Sequence, residues 1–320
     1  MRAVLGLATA MLAVFLLAAG AARAQEYPAK TIRIVASEAG GGGDFLARLI
    51  AQQLTASMGQ PVVVENRGGG VIAGDLVARS APDGYTLLLY GNTFWLLPLM
   101  RSQMPYDPAR DFLPVTLAAR AVNVLVVHPS LPARSVKELI ALARARPGQL
   151  NYGSAAPGTS NHLAGELFKY MAKVDIVRVS FRGSTSALTS VMSGQVHLMF
   201  ATAAGVMPHL KSGRLRPLAV SSLQPSPLFP DLPSIADEGL PGFETVSLHG
   251  IFVPARTPPA IVTRLNQEIV RILQRADLKS RYQNAGVEPL GGPPEVFVAA
   301  MKAEIARMDK VIRAAGIRDE

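Results

Sequence analysis

Four consecutive glycines, Gly40 to Gly43, sit between an apolar run and a helical pattern, and uncharged polar residues recur at matching places: Ser37, Asn92, Thr93, Ser154, Thr159, Ser160 and Ser184. Glycine lets backbone approach a ligand closely, and hydroxyls and amides are neutral donors. Where such a loop opens a helix, the first turn adds unpaired N–H groups and about half a positive charge. Several helix starts facing one cleft would therefore bind an anion with no arginine. Plain turn geometry is the competing explanation for each glycine run taken alone; the recurrence along one sheet order favours the anion site.

Other chemistries fit less well. The G-x-G-x-x-G spacing of a dinucleotide site fails after Gly40, and no P-loop lysine follows. The five histidines, His128, His162, His197, His209 and His249, fall in different elements, with no H-E-x-x-H pattern. His162 and Glu166 are spaced for one helix face, but two ligands make a poor metal site, so neither metal nor cofactor is expected. No G-x-S-x-G is present, and with no cysteine there is no thiol nucleophile. Ser184, after Arg182-Gly183, reads as a helix cap rather than a nucleophile. A hydrolase is thus the weakest of the functional readings, and the chain is expected not to be an enzyme.

The elements that position these loops repeat a short apolar strand, a glycine-containing loop and an amphipathic helix, the pattern of an α/β fold with mostly parallel sheets. Ile32 to Ala36 is the first strand, and Asp44 is a candidate N-cap for a helix that Gly59 ends. Further strands are expected at 62–65, 85–90, 124–127, 150–153, 176–179, 196–200 and 246–253. A capping box, Ser135-x-x-Glu138, opens one helix, and Thr257 is a candidate N-cap for another over 258–274. Residues 222–242, rich in Pro, Ser and Leu, read as a long surface connection. The order implies two lobes, 25–121 with 246–320 and an inserted 122–245, joined by two crossing segments near 117–123 and 244–250. In open parallel sheets ligands bind at the carboxyl ends of the strands, where the polar loops lie.

Residues 1–24 read as a cleaved secretory signal: Arg2, an apolar run from Val4 to Ala19, and Ala22-Arg23-Ala24 as an A-x-A site. The run is shorter than the about 20 residues a membrane span needs. The 296 residues that follow exceed one ordinary core, in keeping with two lobes. Formal charge is +9, or +7 without Arg2 and Arg23. An exported protein rarely meets nucleic acid, so anionic solutes or membrane headgroups are the expected partners of the positive charge. With no cysteine to lipidate, the expected product is an unanchored periplasmic monomer.

Specific strings then carry a resemblance. Val62-Val63-Val64-Glu65-Asn66-Arg67, Ala81-Pro82-Asp83-Gly84-Tyr85-Thr86-Leu87, Asn151-Tyr152-Gly153-Ser154, and Gly158-Thr159-Ser160-Asn161-His162-Leu163-Ala164-Gly165-Glu166 resemble the substrate-binding proteins of tripartite tricarboxylate transporters, the Bug family of periplasmic receptors. Leu125 to Pro132, Phe181 to Ser184 and Pro254 to Pro258 extend the likeness across the chain. The resemblance implies a two-lobed, type II-like periplasmic binding protein that closes on a small carboxylate and delivers it to integral membrane transporter subunits. A solute sensor addressing a membrane kinase is the alternative output. By position, the ligand contacts it implies are Ser37, Gly41, Gly42, Gly43, Asp44, Asn92 and Thr93 from one lobe. The other lobe supplies Ser154, Thr159, Ser160, Arg182, Gly183, Ser184, Ala201 and Thr202, with His249 at the second crossing.

The departures from the family pattern gather at the same loops. Ala36-Ser37 replaces a usual Pro-Phe, Gly43 a Thr or Ser, Ala201-Thr202 an Asp-Asn, and Leu248-His249 aromatics. Without a carboxylate at Ala201 an amine-bearing ligand loses its partner, so a less polar acid is expected rather than an amino acid. His249 would add a donor, or a positive charge below about pH 6.5.

Overall fold

The computed structural model describes residues 27–36, 42–67 and 70–318. The expected signal segment, Ser37 and Gly41 lie outside the described residues. Strands β1 (Ile32–Ala36), β2 (Val62–Asn66) and β3 (Thr86–Gly91) alternate with helices α1 (Gly42–Met58), α2 (Gly70–Ala78) and α3 (Thr93–Met100). A 16-residue strand, β4 (Phe112–Val127), leads to α4 (Val136–Ala145), β5 (Asn151–Ser154), α5 (Ser160–Ala172), β6 (Val177–Ser180), α6 (Ser184–Met192) and β7 (Leu198–Thr202). A short helix α7 (Ala203–Val206), β8 (Arg216–Val220) and β9 (Val246–Pro254) follow. The chain closes with α8 (Pro259–Leu273), α9 (Lys279–Asn284), β10 (Glu288–Pro289) and α10 (Pro294–Ala314).

The strands form one curled sheet in the order β2-β1-β3-β9-β4-β7-β5-β6, with β8 and β10 also paired to β4. Parallel pairing occupies the two wings, β2-β1-β3 and β7-β5-β6, as the strand-loop-helix repeats require. Between the wings the sheet is antiparallel, because β4 leaves the first wing and β9 returns to it. The expected crossing segments are thus the paired middles of two long strands. Residues 112–123 escaped sequence reading because Pro114 interrupts the pattern; it sits where the register shifts, at a bulge that tolerates a missing N–H.

Apolar side chains pack on both faces. One cluster joins β1, α1, α8 and α9 through Ile34, Leu46, Ile50 and Ile269. The other runs from Phe94 and Trp95 through Val124 and Val126 to Phe168 and Phe200, so it is continuous across β4. The segment 222–242 is less of a surface connection than its composition suggests: Phe229, Ile235 and Leu240 are buried, and Ile235 N–H donates to the Val220 carbonyl. Gly59, at φ 70°, ends α1 as expected. Two expected caps are corrected. Asp44 lies inside α1 rather than before it, and Pro258, not Thr257, precedes α8; the Thr257 hydroxyl donates to the Pro254 carbonyl instead.

β9 passes so close under α10 that a Cβ at Gly250 would collide with the Phe297 ring. Phe297 is fully buried and stacks near Phe252 and Trp95, leaving it nowhere to move. Gly250→Ala should therefore lower stability by about 2 kcal/mol, as overpacked cores do. Urea unfolding checks this; an unchanged midpoint would show that α10 lifts away at no cost.

Candidate functional site

Three helices begin close together at the carboxyl ends of strands. The Asn161 amide in α5 donates to Ser184 Oγ in α6 at 2.8 Å, tying those two starts to each other. The loop before α5 meets the first turn of α3: Gly158, at φ 76°, lies where a Cβ would stand 3.9 Å from Thr93 and 2.6 Å from the Met100 methyl. Glycine is required there both by the left-handed backbone and by the close approach. Residues from both wings of the sheet thus face one another across a narrow space.

None of the three starts carries a side-chain cap, although two have a residue able to provide one. The Asn92 amide donates to the Val246 carbonyl and, at 2.6 Å, to Glu304. The Thr159 hydroxyl is bonded to the Ala156 carbonyl and Asn161 Oδ1. By contrast α4, which starts on the exterior, is capped by Ser135 Oγ accepting from Glu138 N–H. The reciprocal arm of the expected box is shifted by one residue, since Glu138 accepts from Arg134 N–H. Among the described residues no side chain caps the first-turn N–H groups of α3, α5 and α6, an arrangement able to receive an anion.

The residues singled out in the sequence divide accordingly. Thr93, Thr159, Ser160 and Ser184 surround the three starts. Ser184, Ala201 and Thr202 line an adjoining cavity of about 90 Å³ with Leu188, Met192 and His209. Arg182 is exposed and forms no ion pair among the described residues; it and Gly183 border a shallow open depression beside α6. Ser154 is buried: its hydroxyl oxygen accepts from Arg178 Nε at 2.7 Å and its O–H donates to the Ala155 carbonyl at 3.3 Å, so it positions Arg178. Asn92 likewise holds the return strand. Gly42, Gly43 and Asp44 form the first turn of α1, where the Asp44 carboxylate accepts from Arg48 at 2.9 Å and Asn66 at 2.8 Å. An anion approaching that helix start would meet this negative charge.

Four residues were missed. Asn161 and Arg178 give no local signal. Asn123 does: it is a polar residue in the apolar run from Ala121 to Val127, fully buried, with Oδ1 3.5 Å from Ser160 Oγ and Nδ2 without a partner. Glu304 does too, since it stands on the apolar stripe of Phe297, Met308 and Val311. It is buried and accepts from both Asn92 and the Trp95 indole N–H, at 2.9 Å. Burial pushes its carboxyl above the usual range, partly opposed by those two hydrogen bonds.

Burial disfavours the charged form of His162, His197 and His249. His162 Nδ1 accepts from Gly158 N–H at 3.1 Å, and burial pulls its pKa down to about 3. Its neighbour Glu166 is bonded to Tyr152 and Lys169, so the two do not form a metal pair. Among the described residues no three His, Asp or Glu side chains gather as metal ligands. His249 pairs with Gly91 across β3 and β9, and burial pulls it down to about 4, partly opposed by a backbone hydrogen bond with Ser247. The expected positive charge below pH 6.5 is therefore corrected: His249 stays neutral until far more acid conditions. Since the unfolded chain takes up protons near pH 6.5 that the folded histidines refuse, stability falls as pH drops through the window from 6.5 to 4. His249→Gln should lose less stability than the parent between pH 7 and pH 5, measured by urea midpoints; equal losses would show that His249 titrates normally.

The chain matches the Tripartite tricarboxylate transporter family receptor over residues 46–317. Among solved structures, that of R. palustris Rpa4515 with adipate is 39% identical with a TM-score of 0.82, covering 92% of this chain and 99% of that one. The periplasmic binding protein BugD is 28% identical with a TM-score of 0.79, covering 92% and 100%. MatC from Rhodopseudomonas palustris with bound malate is 29% identical with a TM-score of 0.77, covering 89% and 100%. The curled mixed sheet is that of the two-lobed periplasmic solute-binding proteins, and with its family match the chain belongs to the tripartite tricarboxylate transporter receptors, the Bug solute-binding proteins.

Proposed function

We propose that this protein captures a small organic acid between two lobes and delivers it to the membrane subunits of a tripartite tricarboxylate-type transporter. The carrying observation is the convergence of three helix starts, α3, α5 and α6, whose first-turn N–H groups have no side-chain cap. A carboxylate placed there gains several charge-assisted hydrogen bonds. The adipate and malate bound to the related Rpa4515 and MatC support this ligand class. Contacts come from Thr93 on one side and Thr159, Ser160, Ser184 and Thr202 on the other, with Gly42 and Gly43 completing the wall. The apolar rim of Leu188, Met192 and Met199 suits an acid with an aliphatic body.

In this reading the lobes are residues 25–121 with 246–320 and residues 122–245, and β4 and β9 are the hinge. A ligand that touches both lobes favours the closed form by its differential affinity, and the membrane subunits distinguish closed from open. The N-terminal residues 1–24 serve export to the periplasm and are then removed. Among the described residues no helix is long and apolar enough to cross a membrane.

A thermal-shift screen of mono-, di- and tricarboxylates, aromatic acids and amino acids tests the reading. An acid at 100 times its Kd stabilises the native state by about 2.7 kcal/mol. No shift with any acid would sink the carboxylate assignment. Asn161→Asp keeps the shape of a buried side chain but sets a negative charge between α5 and α6. Affinity for the acid found should fall about tenfold or more through like-charge repulsion. Calorimetric titration measures it, and undiminished affinity would place the ligand elsewhere.

A further inference from the structure

A second cavity lies on the other side of α3. Its volume is about 390 Å³, and its lining includes Leu99, Val298, Met301, Ile305 and Lys302, with the nearly buried rings of Trp95, Phe112 and Phe252 at its floor. The three aromatic rings are buried from the inside of the core and held by one another: Trp95 lies 6.1 Å from Phe252, and Phe112 lies 6.3 Å from it. Trp95 is fixed further by its indole N–H bond to Glu304. The walls are therefore preformed, and the volume falls in the range of small-molecule sites.

The chemistry differs from that of the cleft. There the donors are hydroxyls and helix-start amides; here the wall offers an incoming group almost no polar partner. Two charges border the cavity. Asp107 Oδ1 accepts from the N–H groups of Ala109 and Arg110. Lys302, exposed on α10, forms no ion pair among the described residues. A ligand that fits both features has an apolar body and one negative head.

We propose that this cavity is a second binding site, for a small amphiphilic monoanion whose chain or ring lies against Trp95 and Phe252 and whose carboxylate pairs with Lys302. A dicarboxylate is disfavoured, since its second carboxylate would be desolvated among phenyl rings with no partner. The site thus selects against the multiply charged acids that a tricarboxylate-type receptor is expected to carry in its cleft.

Trp95 is the single tryptophan of the chain, so intrinsic fluorescence reports directly on the cavity wall. Octanoate titrated into the purified protein should give a saturable spectral change. Suberate, with the same chain length and a second carboxylate, should bind about tenfold more weakly or worse. Lys302→Glu reverses the rim charge, and Val298→Phe, on a half-exposed face of α10, narrows the cavity. Each should weaken octanoate about tenfold while leaving the thermal midpoint of the unliganded protein unchanged. No saturable change with octanoate overturns the proposal. A change that persists equally in both variants also overturns it, because the acid would then be acting from the cleft. Equal affinity for suberate overturns the monoanion assignment.

Discussion

The pairing of β4 with β9 is the constraint on which the other features rest. These strands run antiparallel from Phe112 opposite Pro254 to Val122 opposite Val246, and they are the path by which the chain leaves one parallel wing and returns to it. Both are almost wholly buried, so their backbone groups must be satisfied within the sheet. The same pairing fixes where β3 and β7 attach and hence how the loops at the ends of those strands face each other. It also places His249 and Asn123, whose amide nitrogen has no partner among the described residues, at the centre of the sheet.

Electrostatics at the candidate site comes from backbone. Apart from Arg182, exposed just before the start of α6, the side chains around the three helix starts are neutral hydroxyls and amides, His162 is held neutral, and Asp44 and Arg178 are tied to partners of their own. Residues that would ordinarily cap the helices are diverted. Asn92 is drawn to Glu304 and Val246, and Thr159 to Ala156 and Asn161. Each diversion uses a hydrogen bond to hold the loop and leaves the first-turn amides open. An anion bound as proposed would depend on that geometry, so a small displacement of one helix start would remove its share.

Helix α10 links this site to the lateral cavity. It packs under β9 through Phe297, presents Glu304 to Asn92 and Trp95, and turns Met301, Lys302 and Ile305 toward the cavity. Glu304 is the junction, with one carboxylate oxygen bonded to the loop of α3 and the other to a cavity-wall indole. Burial that raises its pKa also makes those two bonds hard to replace by water.

Most of the fold was legible in the chain. Periodicity located every strand of the two wings within one or two residues, because short runs rich in β-branched and apolar residues stand between turn residues, whether the strand is central and buried like β3 or at an edge like β2 and β6. The Ser135 cap and the Gly59 stop were legible because each depends on neighbours only three or four residues away. The expectation that the loops bind an anion came from composition alone, and it is the reading carried into the proposed function. What the chain could not determine is how its side chains were shared. Asn92 and Ser154 have ligand-binding chemistry, but partners 212 and 24 residues distant occupy them. Asp44 could have been a cap, but tertiary packing drew it to Asn66. Only the assembled sheet decided that Phe112 to Asn123 is part of one long paired strand, and only burial decided that His249 disfavours its charged form. Residue type sets which hydrogen bonds a side chain can make; long-range packing, which brings one acceptor nearer than the rest, sets which it does make.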